Sequence, residues 1–460
     1  MNNRTGKSGA SSRWLCVLGA LVVACLLPQR AAKGQCEERW SRVGEGGIPG
    51  LNGPVYAMTM WDPDGAGPRA PVLVVGGMFT TAGTTPANLV AAYDPVSGQW
   101  SAFGPGLSGA AGAYVDAFSV LPDGRLVAGG WFSNAGGTAV SNIAAWDGTA
   151  WAALGLGASG NVNALVVLPN GLLVAGGDFE QAGGVQCNRI ATWSDGAWSA
   201  IGSGFLRGVD CLTALRDGTL MAGGRFEFFT SAGTVRSAIW NGNEWQAFGP
   251  ASDFAIWTIS PALDGSVIVG GNSLVLPSAP LARHSIARWD GTAWEAISAG
   301  TNYAVYTLLR LPGSGFVAGG EFISAGGAPA PYVAAWDGAS WHSLGRGVDR
   351  YVYALAKLPD GRLAAGGSFS FAGGYYSPSI AVWGSPCRCV ADLDNGAGFG
   401  SAGSAKDGGV TVEDLLFFAA AYEASDLRAD LDDGTGTGIR DGAVTIDDLL
   451  FFLGHYEAGC

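Results

Sequence analysis

A pair of glycines closing an apolar run recurs at Gly76-Gly77, Gly129-Gly130, Gly176-Gly177, Gly223-Gly224, Gly270-Gly271, Gly319-Gly320 and Gly366-Gly367. The spacings are 53, 47, 47, 47, 49 and 47 residues. A period of that size predicts a β-propeller or another array of repeated units. Each repeat reads as four strands. In the third they are Asn163–Pro169, Leu172–Phe179, Arg189–Trp193 and Trp198–Gly202, with turns at Asn170-Gly171 and Asp195-Gly196 and a longer loop at Glu180–Asn188. Apolar runs this short, bounded by Gly, are strands rather than helices. The Asn-Gly and Asp-Gly pairs supply the positive φ of tight hairpins. Composition agrees: charged residues are only 14%, while 75 Gly and 17 Trp suit many short strands packed on large rings. The Trp and Gly residues are read as structural, filling space between sheets and letting backbones approach.

Counting strands exposes a gap at one end. The seventh repeat stops after three strands at Trp383, where the second Trp of the pattern is replaced by Cys387 and Cys389. The stretch Arg39–Gly46 is an orphan that matches the fourth-strand pattern of Ala150–Gly157, with Trp40 as the missing ring. Seven repeats would close into a circle by pairing this N-terminal strand with Ser379–Trp383, which removes two free sheet edges. Cys36 lies four residues before Trp40 and Cys387 four after Trp383. A Cys36–Cys387 disulfide would stand where a covalent turn joins the same strands in the other repeats.

The chain starts like an exported one. Arg4, Lys7 and Arg13 precede an apolar run from Trp14 to Leu27, with cleavage expected after Gly34. Val22–Cys25 is the rival reading, a lipid anchor at Cys25. No transmembrane helix is expected in the mature chain, and the location is extracellular or cell-surface. Export places Cys36, Cys187, Cys211, Cys387, Cys389 and Cys460 in an oxidising compartment, where three disulfides are expected among fifteen possible pairings. Cys187 and Cys211 read as a second pair on one face of the ring, leaving Cys389 with Cys460.

The formal net charge is -13, and the segment from Val390 onward carries fourteen Asp and Glu against Lys406, Arg428 and Arg440. Nothing forms a basic patch, so nucleic acid is an unsuitable partner. Within the acidic tail a second repeat appears, at a period of 34: Gly409–Ala424 returns as Ala443–Ala458. Each copy places apolar residues at helical spacing, Leu415, Leu416, Ala419 and Tyr422, then Leu449, Leu450, Leu453 and Tyr456. Carboxylates cluster ahead of each. Asp392, Asp394, Asp407, the carbonyl of Gly409 and Asp414 form one ligand set, and Asp430, Asp432, Asp441, the carbonyl of Ala443 and Asp448 a second. Calcium needs several hard oxygen ligands of this kind, so two calcium sites are expected.

Two resemblances follow from these residues. The first repeat, with Val74–Phe79 and then Ala91–Trp100, resembles a kelch repeat, a family of β-propellers. The duplicated loop-and-helix tail resembles a type I dockerin, and its closing Gly459-Cys460 and Asp447–Leu453 resemble the GC-type dockerin domains of planctomycetes. The second resemblance implies calcium binding and docking onto a cohesin-like or cell-surface anchoring partner. Both ligand sets depart from the common dockerin loop through inserted residues, 396–406 and 434–440. The expected organisation is a signal peptide over 1–34, an all-β propeller over 35–386 and a small α-helical, EF-hand-type module over 387–460.

Chemistry is sparse. His284, His342 and His455 are the only histidines and form no cluster suited to a transition metal. The polar loop residues are Arg189, Arg207, Asp210, Asp253, His284, Asp349 and Arg350, with Tyr303, Tyr351, Tyr375 and Tyr376 beside them. No catalytic group is assembled from these. The expected function is non-enzymatic binding of a protein or glycan at the mouth of the ring, its residues unassigned. A polysaccharide-active enzyme, a glycoside hydrolase or lyase carried by the same tail, is the alternative.

Overall fold

A computed structural model describes residues 38–384, apart from 45–47, 66, 68, 216, 232, 263–264, 277–278 and 312–314, and in addition Phe418. Glu38–Gly384 form one compact unit, and Met1–Glu37 with Ser385–Cys460 are grouped as a second. The signal segment, both calcium ligand sets and Cys36, Cys387, Cys389 and Cys460 lie outside the described residues. Between 38 and 384 the described residues contain no α-helix.

The architecture is an all-β propeller. Five four-stranded antiparallel sheets and one nine-stranded sheet follow one another along the chain. In the third repeat the strands are Val162–Val167, Leu173–Gly177, Ile190–Ser194 and Ala197–Ala200, adjacent in that order. The nine-stranded sheet holds the fourth and fifth repeats, fused by Ala251–Ser252, which pairs with both Gly233–Trp240 and Val267–Leu276. The first strands pack side by side in chain order, and the last of them, Val352–Lys357, packs against the first, Val55–Trp61.

The circle closes as the strand count requires. Arg39–Arg42 pairs antiparallel with Ile380–Gly384, setting Trp40 opposite Trp383 and Arg42 opposite Ala381. Trp40 also takes over the hydrogen bond of the ring it replaces. Its Nε1 donates to the Leu344 carbonyl at 2.8 Å, as Trp151 does to Phe103 at 3.0 Å and Trp198 to Leu154 at 2.9 Å. Each such bond ties an outer strand to the end of the preceding sheet, so a buried N–H is satisfied while the ring fills the gap between sheets.

The core is distributed between sheets. Phe79, Phe132, Phe179, Phe226, Phe322 and Phe369, two residues after each Gly pair, are all buried. The fifth repeat lacks this Phe. There Ser273 adopts a left-handed φ of 59° and the fully buried Leu274 follows.

Candidate functional site

The Gly pairs explain how side chains reach the axis of the ring. In six repeats the pairing of first and second strands skips one residue of the first strand: Tyr56, Asn163, Asp210, Trp257, Tyr306 and Tyr353. In the second repeat Val115 and Ala117 face Gly130 and Gly129, which leaves Asp116 as the extra residue. Such a β-bulge re-aims one side chain. A Cβ on the second glycine of each pair would collide with the backbone where the bulge begins, for example with the carbonyl oxygen of Asn161 at Gly177 and of Tyr351 at Gly367. A Cβ on the first glycine would lie 2.6 to 2.8 Å from the β-branched residue of the next sheet, as at Gly129 against Val162 and Gly223 against Ile256. Glycine is therefore required at both positions for packing reasons. Val55, Val115, Val162, Val209, Ile256, Val305 and Val352 are fully buried, while the bulged neighbours are only half-buried. One side chain per repeat thus lines the centre.

Three consecutive repeats contribute a polar arc. Asn161 Nδ2 donates to the Tyr114 hydroxyl at 3.2 Å, to Asp116 Oδ2 at 3.2 Å and to Asn163 Oδ1. Asn163 Nδ2 donates to Asp210 Oδ1 at 3.1 Å and to the Val209 carbonyl at 3.2 Å. Arg225 holds Asp210 through Nε and Nη2 at 3.1 and 2.8 Å, and Asp178 through Nη2 at 2.8 Å. Burial pushes the Asp116 carboxyl up to about 6; the Asn161 bond opposes the rise, and the charges of Asp210 and Asp178 add to it. Burial also raises Asp210, against the pull of Arg225. The Tyr114 hydroxyl is pushed to about 12, by burial first and then by the Asp116 and Asp178 charges.

The remaining repeats contribute an aromatic arc. Trp257 meets Tyr306 edge-on at 5.9 Å, Tyr306 meets Tyr353 at 5.6 Å, and Tyr353 meets Tyr56 at 5.4 Å. Tyr56 then meets Tyr114 at 5.8 Å, which joins the two arcs. Tyr351 packs beside Tyr353 at 6.2 Å, with the Arg350 guanidinium 5.8 Å from its ring. The Tyr306 hydroxyl donates to Glu321 Oε2 at 2.8 Å, and burial together with that bond pushes its pKa far up. One side of the central lining is thus built of aromatic rings, the other of a hydrogen-bonded row of carboxylates and amides.

Of the loop residues singled out from sequence, the structure brings Asp210, Tyr351 and Arg350 to this ring. Asp349 has a structural role: its Oδ1 accepts from the Ser370 and Phe371 amides at 2.8 and 2.9 Å, as Asn302 Oδ1 does from Ile323 and Ser324 at 2.9 and 3.0 Å. Arg189 donates to the Asp178 carbonyl at 3.0 Å and pairs with Glu180. Asp253 accepts from Ser273 at 2.8 Å. His284 is partly buried and lies across from Leu274. Arg207, Tyr303, Tyr375 and Tyr376 are exposed. Sequence reasoning missed Tyr56, Asp116, Asn163, Trp257, Tyr306 and Tyr353, although from the second repeat on the lining residue stands thirteen places before the first Gly of its pair.

The expected Cys187–Cys211 disulfide is not formed; both are free thiols. Cys187 packs into the core of the third repeat with Phe179 and Trp198. Cys211 follows the bulged Asp210, so its side chain turns towards the fifth repeat, with Sγ 3.8 Å from the Ile256 carbonyl. Burial raises both thiols, Cys187 to about 11. Among the described residues, His, Cys, Asp and Glu form no group arranged to hold a metal ion, and no helix is long and apolar enough to cross a membrane.

A family model described as the Rax2 C-terminal beta propeller domain matches residues 139–311, and one for a beta-propeller domain of unknown function, DUF5122, matches residues 121–144. They identify a β-propeller domain. No curated protein matches the sequence. Among solved structures, the extracellular domain of BT4673 from B. thetaiotaomicron is 7% identical with a TM-score of 0.47, the match covering 75% of this chain and 39% of that one. The chain therefore spans about two fifths of that protein's length. The WD40 propeller domain of Doa1 is 13% identical with a TM-score of 0.47, covering 77% and 98% of the two chains. A chain of the mitotic checkpoint complex is 17% identical with a TM-score of 0.48, covering 78% and 97%.

Proposed function

We propose that this chain is an exported, seven-bladed propeller that binds a glycan at the mouth of its central channel without transforming it. In this reading the nine-stranded sheet counts as two blades, and the kelch-like first repeat is the least diverged. The observation that carries the proposal is the split lining. Flat rings at Trp257, Tyr306, Tyr353 and Tyr56 suit the C–H face of a sugar, and the acceptors and donors of Asp116, Asn163 and Asp210 suit its hydroxyls. Hydrogen bonds hold the polar arc in place before a ligand arrives, which lowers the ordering cost of binding.

The tail is proposed as the attachment. The carboxylates Asp392, Asp394, Asp407 and Asp414, and Asp430, Asp432, Asp441 and Asp448, with the Gly409 and Ala443 carbonyls, are the hard oxygen donors that calcium takes. A cohesin-like or cell-surface partner would then fix the propeller outside the cell. Chelation by EDTA should change the circular dichroism of the isolated segment 387–460, and an unchanged spectrum would remove the calcium assignment.

A glycan array run beside a hydrolysis assay tests the central reading, with binding expected and no product released. The enzyme reading has one observation in its favour: a carboxyl raised to about 6, Asp116, is suited to act as a general acid near neutral pH. Product release from wild type that is lost in Asp116→Asn would establish that alternative instead.

A further inference from the structure

Trp131 is the one exposed tryptophan among the described residues, at 43% relative exposure; the others are buried or half-buried. The repeat does not ask for a ring there. The residue after each Gly pair is Met78, Trp131, Asp178, Arg225, Asn272, Glu321 and Ser368 in turn, with no shared size or polarity. The fold leaves the side chain at this place open, and a tryptophan there, unlike a Ser or Asp, presents a flat stacking face to solvent.

Its surroundings narrow the contact. Trp131 borders a groove of about 230 Å³ floored by the buried Phe132, Val140 and Ala158. Ser133 and Ser141 stand exposed along the same groove, and Ser159 accepts from the Glu180 and Gln181 amides at 3.1 and 3.0 Å. Trp131 also stands next to the central lining: it pairs across the strands with Tyr114, whose hydroxyl accepts from Asn161. No charged side chain lines this groove. An uncharged trough with a single flat ring and a hydroxyl-bearing edge suits a neutral pyranose, stacked by its C–H face and met at its edge by serine hydroxyls.

We propose that Trp131 and this groove form an outer subsite for a further sugar unit of a linear glycan whose terminal units occupy the channel mouth. The proposal rests on the reading of the mouth as a glycan site. In this proposal the terminal two units fill the mouth, so a disaccharide leaves the groove empty and the ligand class is a neutral polysaccharide chain.

The test is calorimetric titration of the full chain with xylo-, cello- and chito-oligosaccharides from disaccharide to hexasaccharide. In wild type, affinity for the recognised series should climb with length and then level off. Trp131→Ala should erase that climb, weakening the longest oligomers by roughly threefold to tenfold while leaving the disaccharide unchanged, and Trp131→Phe should restore most of it. The residue is exposed, so an unchanged melting temperature is expected in both variants. Equal loss at every length, or no loss at any, would overturn the outer subsite. Absence of binding by wild type at any length in all three series would instead overturn the mouth reading beneath it.

Discussion

The two halves of the channel lining share a backbone and differ in chemistry. At Asp116, Asn163 and Asp210, and equally at Trp257, Tyr306, Tyr353 and Tyr56, one bulged residue follows a fully buried β-branched neighbour, and the residues on either side of it face a glycine pair. Packing dictates the glycines and the β-branched residue in both halves. It leaves the bulged residue free to vary, because that residue drops out of the strand pairing. The polar arc is cross-linked by hydrogen bonds from Asn161 to Arg225, whereas rings that meet edge-on or tilted build the aromatic arc. The scaffold thus sets where a side chain stands, and function sets which one it is.

The comparison breaks altogether if the shared scaffold is opened at its seam. Cys36, four residues before Trp40 in the sequence, and Cys387, four after Trp383, are proposed to staple that seam. A disulfide there would close a very long loop, and its reduction should cost towards the upper end of about 5 kcal/mol. Peptide mapping should find the linked pair, and two free thiols would remove the staple. Trp40→Ala acts on the same seam, deleting a buried ring and its bond to Leu344, with an expected loss of about 3–5 kcal/mol in urea melts.

Gly177→Ala strikes the bulge itself. Its Cβ would meet the Asn161 carbonyl, so the strand must shift, at a cost of about 1–3 kcal/mol and with the polar arc displaced. Asp116→Asn sharpens the contrast between the arcs. Because the folded carboxyl titrates near 6, above its ordinary range, wild-type stability from this group is full below about pH 4 and is lost as pH rises through 6. The amide variant lacks that dependence. It should match wild type at pH 4 and exceed it by about 1–2 kcal/mol at pH 7, a discounted figure for a group that keeps some exposure to water. The smallest effect concerns Cys187 and Cys211, whose raised thiols should resist alkylation in the native protein and react once it is unfolded.

Much of the fold was legible because repetition amplifies weak signals. Seven Gly pairs at near-constant spacing marked the strands, and the displaced Trp40 marked the closing strand. The site was less legible for a physical reason. Reading strands by strict alternation hides a bulge, and Asp116 or Tyr306 then passes for one more residue in an apolar run. Loop position misled in the other direction: Asp349 looked available for binding but caps the Ser370 and Phe371 amides. The Cys187–Cys211 pairing failed on the same bulge, which turns Cys211 between sheets rather than towards the loop face.

Saccharide titration of Tyr353→Ala and Asn163→Ala beside wild type tests most directly whether one ligand uses both arcs. If the channel mouth is the binding site, each variant should keep its fold, measured by circular dichroism, and lose roughly tenfold or more in affinity for the same glycan. Binding at wild-type strength by both variants would contradict the account.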